Sequence, residues 1–215
     1  MRHETQTLGE FLRRIAIDYA RFGYTRYAVR IIPEGKDLDA IDRKLIAIYG
    51  VTSCRTTRMR IKRQGKACVQ YLRFQHSFVL LATPGEHAAF SKICSFEMKD
   101  SPLHFRGYSI GFSGSTVSVR VAKSVWSHVR REVRIVALKN RAEVERAITS
   151  LPFYKFPGVV AQINQLIADL NRVRKRAGLV LISPTLPHLP YHHRCLGKHH
   201  RQKSAQRPAS RVGHE

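Results

Sequence analysis

Acidic residues are scarce in this chain. Only 15 Asp and Glu stand against 38 Lys and Arg, which gives a formal net charge of +23. A folded protein with this much positive self-repulsion usually meets a compensating polyanion, and nucleic acid is the first such partner to consider. An anionic membrane would instead call for a basic amphipathic helix with an apolar Trp, Phe and Leu face. The cations here are also spread over predicted strands and loops, so we expect nucleic acid and no membrane as the partner.

Cysteine is sparse as well, and long apolar runs are missing. Cys54, Cys68, Cys94 and Cys195 are widely spaced and form no Cys-x-x-Cys pair, which argues against a disulfide framework. The first 22 residues carry charges throughout and have no continuous apolar core, unlike a signal peptide or a membrane span. A cytoplasmic location is the resulting expectation. No motif indicates a small-molecule substrate.

Hydrophobic residues are abundant enough for a folded core. They make up 43% of the 215 residues, with eight Tyr and ten Phe, so disorder does not explain the charge. We predict an α+β fold with a mostly antiparallel sheet of about five to six strands and helices packed on one face. One domain would cover residues 1–182, with C-terminal helices at about 122–178. Residues 183–215 would form a flexible, basic, His-rich tail.

Several helices can be placed from periodicity and capping signals. An apolar stripe from Leu8 to Phe22 predicts an N-terminal helix that ends at Gly23. Asp37 can cap a second helix that Gly50 would end. Further helical patterns cover residues 123–138, 143–151 and 160–176, while strand patterns cover 24–33, 78–82, 103–112 and 116–121.

The most basic stretch runs from Arg55 to Thr83. Seven Lys or Arg and no acid lie between Arg55 and Arg73. Arg58, Arg60 and Lys62 alternate with Met59 and Ile61, and this period of two predicts a strand with cations on one face. We therefore expect a sheet whose basic face stays open as a platform for phosphate.

The candidate nucleic-acid contacts follow from this platform and from the basic helix ends. Cations would bind phosphates, and Tyr71 with Arg73 would offer stacking or cation–π surfaces to bases. The predicted contact residues are Arg55, Arg58, Arg60, Lys62, Arg63, Lys66, Tyr71, Arg73, Arg120, Arg130, Arg131, Arg134, Arg174, Lys175 and Arg176.

Histidines cluster near the C-terminus. The segment from Tyr191 to His200 holds four His and one Cys. His192, Cys195 and His199 are therefore candidate zinc ligands, but their spacing matches no closed four-ligand site. An unstructured tail without metal remains the main expectation for this segment.

An alternative hypothesis is a metal-dependent strand-cutting enzyme of a mobile element, such as an endonuclease, a replication initiator or a transposase. Tyr108 would be the nucleophile and His76 a metal ligand, although the sequence contains no His-x-His triplet. Glu97 and Lys99 form a Glu-x-Lys tripeptide that, with an upstream acid, could hold Mg²⁺ or Mn²⁺. A binder without a cofactor is the favoured hypothesis.

The sequence does not choose between RNA and DNA. It contains no clear helix-turn-helix unit, zinc finger or basic zipper. Sheet platforms and basic tails are typical of proteins that bind RNA or single strands, which gives these targets a slight preference. Affinity should fall steeply with salt if phosphates are the main contacts.

Overall fold

The computed structural model describes residues 3–183. Of the tail predicted for residues 183–215, only Ser183 is described. The candidate zinc ligands His192, Cys195 and His199 lie outside the described residues. The elements are β1 (Glu4–Thr5), α1 (Leu8–Arg13), β2 (Arg26–Ile31), α2 (Leu38–Tyr49), α3 (Arg55–Arg63), β3 (Val69–Phe74), β4 (Ser77–Ala82), β5 (Phe96–Glu97), β6 (Leu103–Phe105), β7 (Tyr108–Ser113), β8 (Thr116–Val121), α4 (Lys123–Ile135), α5 (Arg141–Thr149) and α6 (Pro157–Arg176).

The strands form two sheets. The first has five strands in the order β1-β3-β4-β2-β5, and the second is an antiparallel meander of β6, β7 and β8. The α+β class is thus confirmed, but the strands do not form one sheet. The five-stranded sheet is also mixed. Its β1 and β3 strands pair in parallel, and all other neighbouring strands in this sheet pair antiparallel.

Helices cover both faces of the five-stranded sheet. On one face, Phe11 and Leu12 of α1 share a core with Leu72 of β3 and Leu81 of β4. On the other face, α2 packs over a separate cluster that is centred on Tyr71, Phe78 and Leu80. Every residue of β3 is buried. The expectation of helices on one face is therefore wrong, and β3 and β4 offer no open basic platform.

The second sheet packs against α6. The side chain of Gln162 accepts a hydrogen bond from the Val121 N–H at 2.8 Å and donates one to the Val121 carbonyl at 3.2 Å. Gly158 lies so close to β8 that an added Cβ would stand 2.5 Å from the Val119 carbonyl oxygen. Side chains of this sheet and of α6 belong to the same apolar cluster as α1.

The N-terminal helix is not a uniform α-helix. After α1, residues Arg14–Tyr19 form a π-helix and Ala20–Phe22 a 3₁₀ turn, before Gly23 ends the segment in the left-handed region. A π-helix has more residues per turn than an α-helix, so residues beyond it are rotated off the original stripe. Ile15 and Tyr19 stay buried, whereas Phe22, predicted on the same stripe, is 64% exposed.

The segment Arg55–Arg63, predicted as a strand, is the helix α3. In a helix, Arg58 and Lys62 share a face four residues apart, while Arg60 points elsewhere. Arg58, Arg60 and Lys62 alternate with Met59 and Ile61, which is a strand pattern, and nine residues are too few for a helical period to be distinguished from it. Its N-cap is Cys54, whose thiol accepts from the Thr57 N–H at 3.5 Å, and Cys was not among the residues expected to cap a helix.

Candidate nucleic-acid interface

Helix α3 lies on the surface and contacts the body along one side only. None of its nine residues is buried, and Ile61 is the side chain that packs against the main core. Arg58 donates to the Ser53 carbonyl at 2.6 Å, which ties its guanidinium to the connection before the helix. Arg55, Arg60, Lys62 and Arg63 are exposed. The sequence expectation that this segment presents cations to solvent therefore agrees with the structure, although the element is different.

The acids of the described part neutralise cations elsewhere. Ion pairs join Arg13 to Asp18 at 2.9 Å, Arg73 to Asp42 at 2.9 Å and Arg130 to Asp169 at 3.0 Å. Two more pairs lie on α5 or beside it, Lys139 with Glu143 and Arg141 with Glu145. Within residues 3–183, no ion pair involves a cation of α3. Five positive charges in nine residues thus form no ion pair with an acid of the described part.

A groove of about 480 Å³ separates α3 from the end of the N-terminal helical segment. We call it the aromatic groove. Its lining combines cations, rings and one carboxylate, that of Asp18, which is already paired with Arg13. The lining residues are Asp18, Tyr19, Phe22, Tyr24, Arg55, Arg58, Met59, Lys62 and Gln70. The Lys62 ammonium lies 5.0 Å from the centre of the Tyr24 ring, within the range of a cation–π contact.

A second basic surface follows α4. Arg130, Arg131 and Arg134 line an open groove of about 540 Å³ together with Ser127 and Ile135. Asp169 binds Arg130 and also accepts from Arg172 and Gln165. Burial would raise the pKa of Asp169, but these hydrogen bonds outweigh it and hold the pKa below its usual value. Of the three arginines that line this groove, Arg131 and Arg134 are therefore exposed without an acid partner in the described residues.

Tyr71 and Arg73, predicted as stacking and phosphate contacts, are core residues. Their exposed fractions are 0% and 2%. The Tyr71 hydroxyl donates to Asp42 at 2.5 Å, and Arg73 pairs with Asp42 and, at 3.3 Å, with Glu4. Burial and the bond to Asp42 raise the pKa of Tyr71 well above its usual value. Both residues hold α2 and β1 onto β3 and cannot reach a surface ligand.

Arg174 is also a structural residue. It is 2% exposed, and its guanidinium donates to the carbonyls of Ala137, Lys139 and Val180 at 2.7 to 2.8 Å. These bonds fix the chain after α4 and after α6. Its neighbours Lys175 and Arg176 are exposed at the end of α6, where the helix dipole favours cations. Of the three cations predicted to contact nucleic acid here, only Lys175 and Arg176 are therefore at the surface.

The two remaining predicted contacts are at the surface but outside α3 and α4. Lys66 is exposed after the turn that follows α3, and its backbone forms an isolated parallel β-bridge with Glu86. Arg120 is exposed on β8, where it donates to Ser118 and Ser113 at 3.4 and 3.3 Å. Both positions are compatible with a contact to phosphate.

The candidate catalytic residues have different surroundings. Tyr108 is 4% exposed, its hydroxyl accepts from the Tyr154 N–H at 3.0 Å, and burial raises its pKa. His76 lies exposed in the turn between β3 and β4. Glu97 is in β5, with one carboxylate oxygen buried without a hydrogen bond, and Lys99 is exposed beyond β5 with its ammonium 5.8 Å from the Phe112 ring centre. A nucleophile in the position of Tyr108 could not meet a phosphate without local unfolding.

Metal-binding clusters and membrane spans are both absent from residues 3–183. No group of three or more His, Cys, Asp and Glu is placed to hold a metal ion in this part of the chain. None of its helices is both long and apolar enough to cross a membrane.

Comparison with known proteins gives no family assignment. No protein-family model matches the chain, and a search of the curated proteins finds no significant relative. The class that the structure defines is an α+β protein with two sheets and an exposed basic helix.

Of the residues that line the aromatic groove, the sequence predicted only Arg55, Arg58 and Lys62 as contacts, and it missed the two exposed apolar ones. Phe22 was placed on the core stripe of the first helix, and Met59 on the apolar side of a strand. They are 64% and 48% exposed. The Gly23 stop one residue after Phe22 was visible in the sequence and could have suggested that Phe22 is the last residue of the helical segment.

Proposed function

We propose that this protein binds nucleic acid and that α3 is its main contact with the phosphate backbone. The observation that supports this most directly is the uncompensated charge of α3, five cations in nine residues with no acid partner in residues 3–183. Surfaces normally mix both signs, because like charges this close repel each other. A polyanion would remove that repulsion and release its own counterions.

The exposed cations of α4 supply a second contact surface in this proposal. Arg131 and Arg134 stand one turn apart and border an open groove, a shape that admits an extended backbone. Lys and Arg that reach phosphates position a nucleic acid without reading its sequence. We therefore expect binding with weak sequence preference and strong dependence on salt.

The test compares two variants with the same change in charge. Arg60→Gln with Arg63→Gln removes two exposed cations from α3, and Arg141→Gln with Arg146→Gln removes two from α5. Binding of a labelled oligonucleotide is followed by fluorescence anisotropy at several salt concentrations. For the α3 variant we expect weaker binding and a salt slope that is smaller by about 1.5, because each lost phosphate contact accounts for roughly 0.7 to 0.9.

The α5 variant controls for net charge alone. It should bind within about twofold of the wild type, since it lies outside the proposed surfaces and only long-range attraction is reduced. Equal losses in both variants would show that α3 is not the contact surface. Wild-type binding that does not change with salt would disprove the phosphate-based function itself.

A further inference from the structure

The aromatic groove is the place where exposed apolar surface and uncompensated charge meet. Single exposed hydrophobic residues are common and need no explanation. Here, however, Phe22 at 64% exposure and Met59 at 48% line one groove with Arg55, Arg58 and Lys62. A ligand that covers both kinds of surface must carry an apolar face and negative charge.

The two sides of the groove differ in how firmly they are held. Tyr19 and Tyr24 are 3% and 6% exposed and pack edge to face with ring centres 5.9 Å apart, so they form a rigid base. Phe22 stands beyond them because the π-helix and the 3₁₀ turn rotate it away from the core. Its ring is therefore presented to solvent between two buried tyrosines of the chain.

The opposite side provides the charge. Arg58 is tied to Ser53, but Arg55 is exposed one turn earlier on α3 and makes no ion pair in the described residues. Lys62, one turn after Arg58, also lines the groove, with its ammonium 5.0 Å from the centre of the Tyr24 ring. Arg55 and Lys62 are about 10 Å apart along the axis of α3, at 1.5 Å per residue, so that their long side chains can reach phosphates on the two sides of one nucleotide.

We propose that the aromatic groove binds an unpaired base of a single-stranded nucleic acid, stacked on Phe22, with its flanking phosphates on Arg55 and Lys62. This inference rests on the proposed function and specifies its substrate class. Stacking requires a free base face, and in a duplex both faces of each base are covered by its neighbours. Duplex would therefore contact the cations but not Phe22.

The test uses three probes of equal length: oligo-dT, an abasic strand with the same number of phosphates, and a duplex. The variant is Phe22→Ala, and Phe96→Ala is the matched control because Phe96 is also about half exposed, at 49%, but lies on β5. For wild type we expect tighter binding of oligo-dT than of the abasic strand. Phe22→Ala should weaken oligo-dT binding about tenfold, within the range for one base stacked on one ring.

The same substitution should leave abasic-strand and duplex binding within about twofold of wild type, and Phe96→Ala should leave all three unchanged. Circular dichroism and thermal unfolding of both variants would confirm that each is folded. If Phe22→Ala does not alter oligo-dT binding, or if it weakens all three probes equally, the base-stacking proposal is wrong while salt-dependent binding through α3 still stands. If wild type binds none of the probes, the proposed function fails first.

Discussion

Whether an arginine of this protein acts at the surface or in the core depends on partners far away in the sequence. Arg73 is neutralised by Asp42, 31 residues earlier, and Arg174 is held by three carbonyls that include one 37 residues earlier. Arg63 has no such partner in the described residues and is exposed. A single sequence shows the side chain but not its partner, and three of the fifteen predicted contact residues, Tyr71, Arg73 and Arg174, proved to be buried.

Tyr108 provides the residue-scale test of the enzymatic alternative. Its hydroxyl accepts the Tyr154 N–H, so Tyr108→Phe should leave a half-buried donor unpaired and lower the free energy of unfolding by about 1 to 2 kcal/mol. Denaturant titration measures this change. Tyr27→Phe, which loses a hydrogen bond to the Pro102 carbonyl, is the matched reference.

The functional readout for Tyr108→Phe is separate from its stability. At a temperature where both proteins are folded, wild type and variant should leave labelled single strands equally intact in Mg²⁺ or Mn²⁺, and should bind them equally. Cleavage by wild type that disappears in Tyr108→Phe but persists in Tyr27→Phe would favour the strand-cutting enzyme instead.

At the scale of elements, local signals succeeded where a cap or a clear period was present. Asp37 accepts from the N–H groups of Asp39 and Ala40, and Gly50 ends α2 in the left-handed region, both as expected. The prediction for α3 was wrong because nine residues with alternating charge satisfy a strand pattern, and no residue inside them forbids either state. The π-helix and the covering of both sheet faces depend on packing, which a local pattern does not contain.

Gly158 tests how closely α6 and β8 must approach. A Gly to Ala change inside a helix ordinarily stabilises a protein by about 0.5 to 1 kcal/mol. At this position the new Cβ would stand 2.5 Å from the backbone oxygen of Val119 and 2.6 Å from the Ser118 hydroxyl. We therefore expect Gly158→Ala to destabilise by about 1 to 3 kcal/mol, because the helix must move off the sheet.

The control for Gly158→Ala is Asn164→Ala, an exposed position on the same helix. It should change the free energy of unfolding by no more than about 0.5 kcal/mol. Thermal or denaturant unfolding of the two variants gives the comparison. A stabilised Gly158→Ala protein would mean that α6 does not pack against β8 as closely as described.

For the whole molecule, charge is distributed unevenly. The ion pairs of the described part neutralise cations outside α3, among them Arg13, Arg73 and Arg130, and α3 is left positive. Composition alone predicted a polyanion partner, and the position of the acids is the information that composition lacks. The C-terminal residues add six Lys or Arg and one acid to this imbalance after Ser183.

Removal of residues 184–215 separates the two sources of charge. The cut is placed after Ser183 because Ile182 is 3% exposed and its backbone N–H and carbonyl both bond to the Asn171 side chain, at 2.8 and 3.0 Å. A chain that ends at Ser183 should therefore keep its free energy of unfolding within about 0.5 kcal/mol of the full-length value.

The salt slope of the shortened chain for single strands should fall by up to about 4, at roughly 0.7 per lost cation. The remaining affinity should still respond to Arg60→Gln with Arg63→Gln. If the shortened chain binds nothing although it is folded, the C-terminal residues and not α3 carry the interaction.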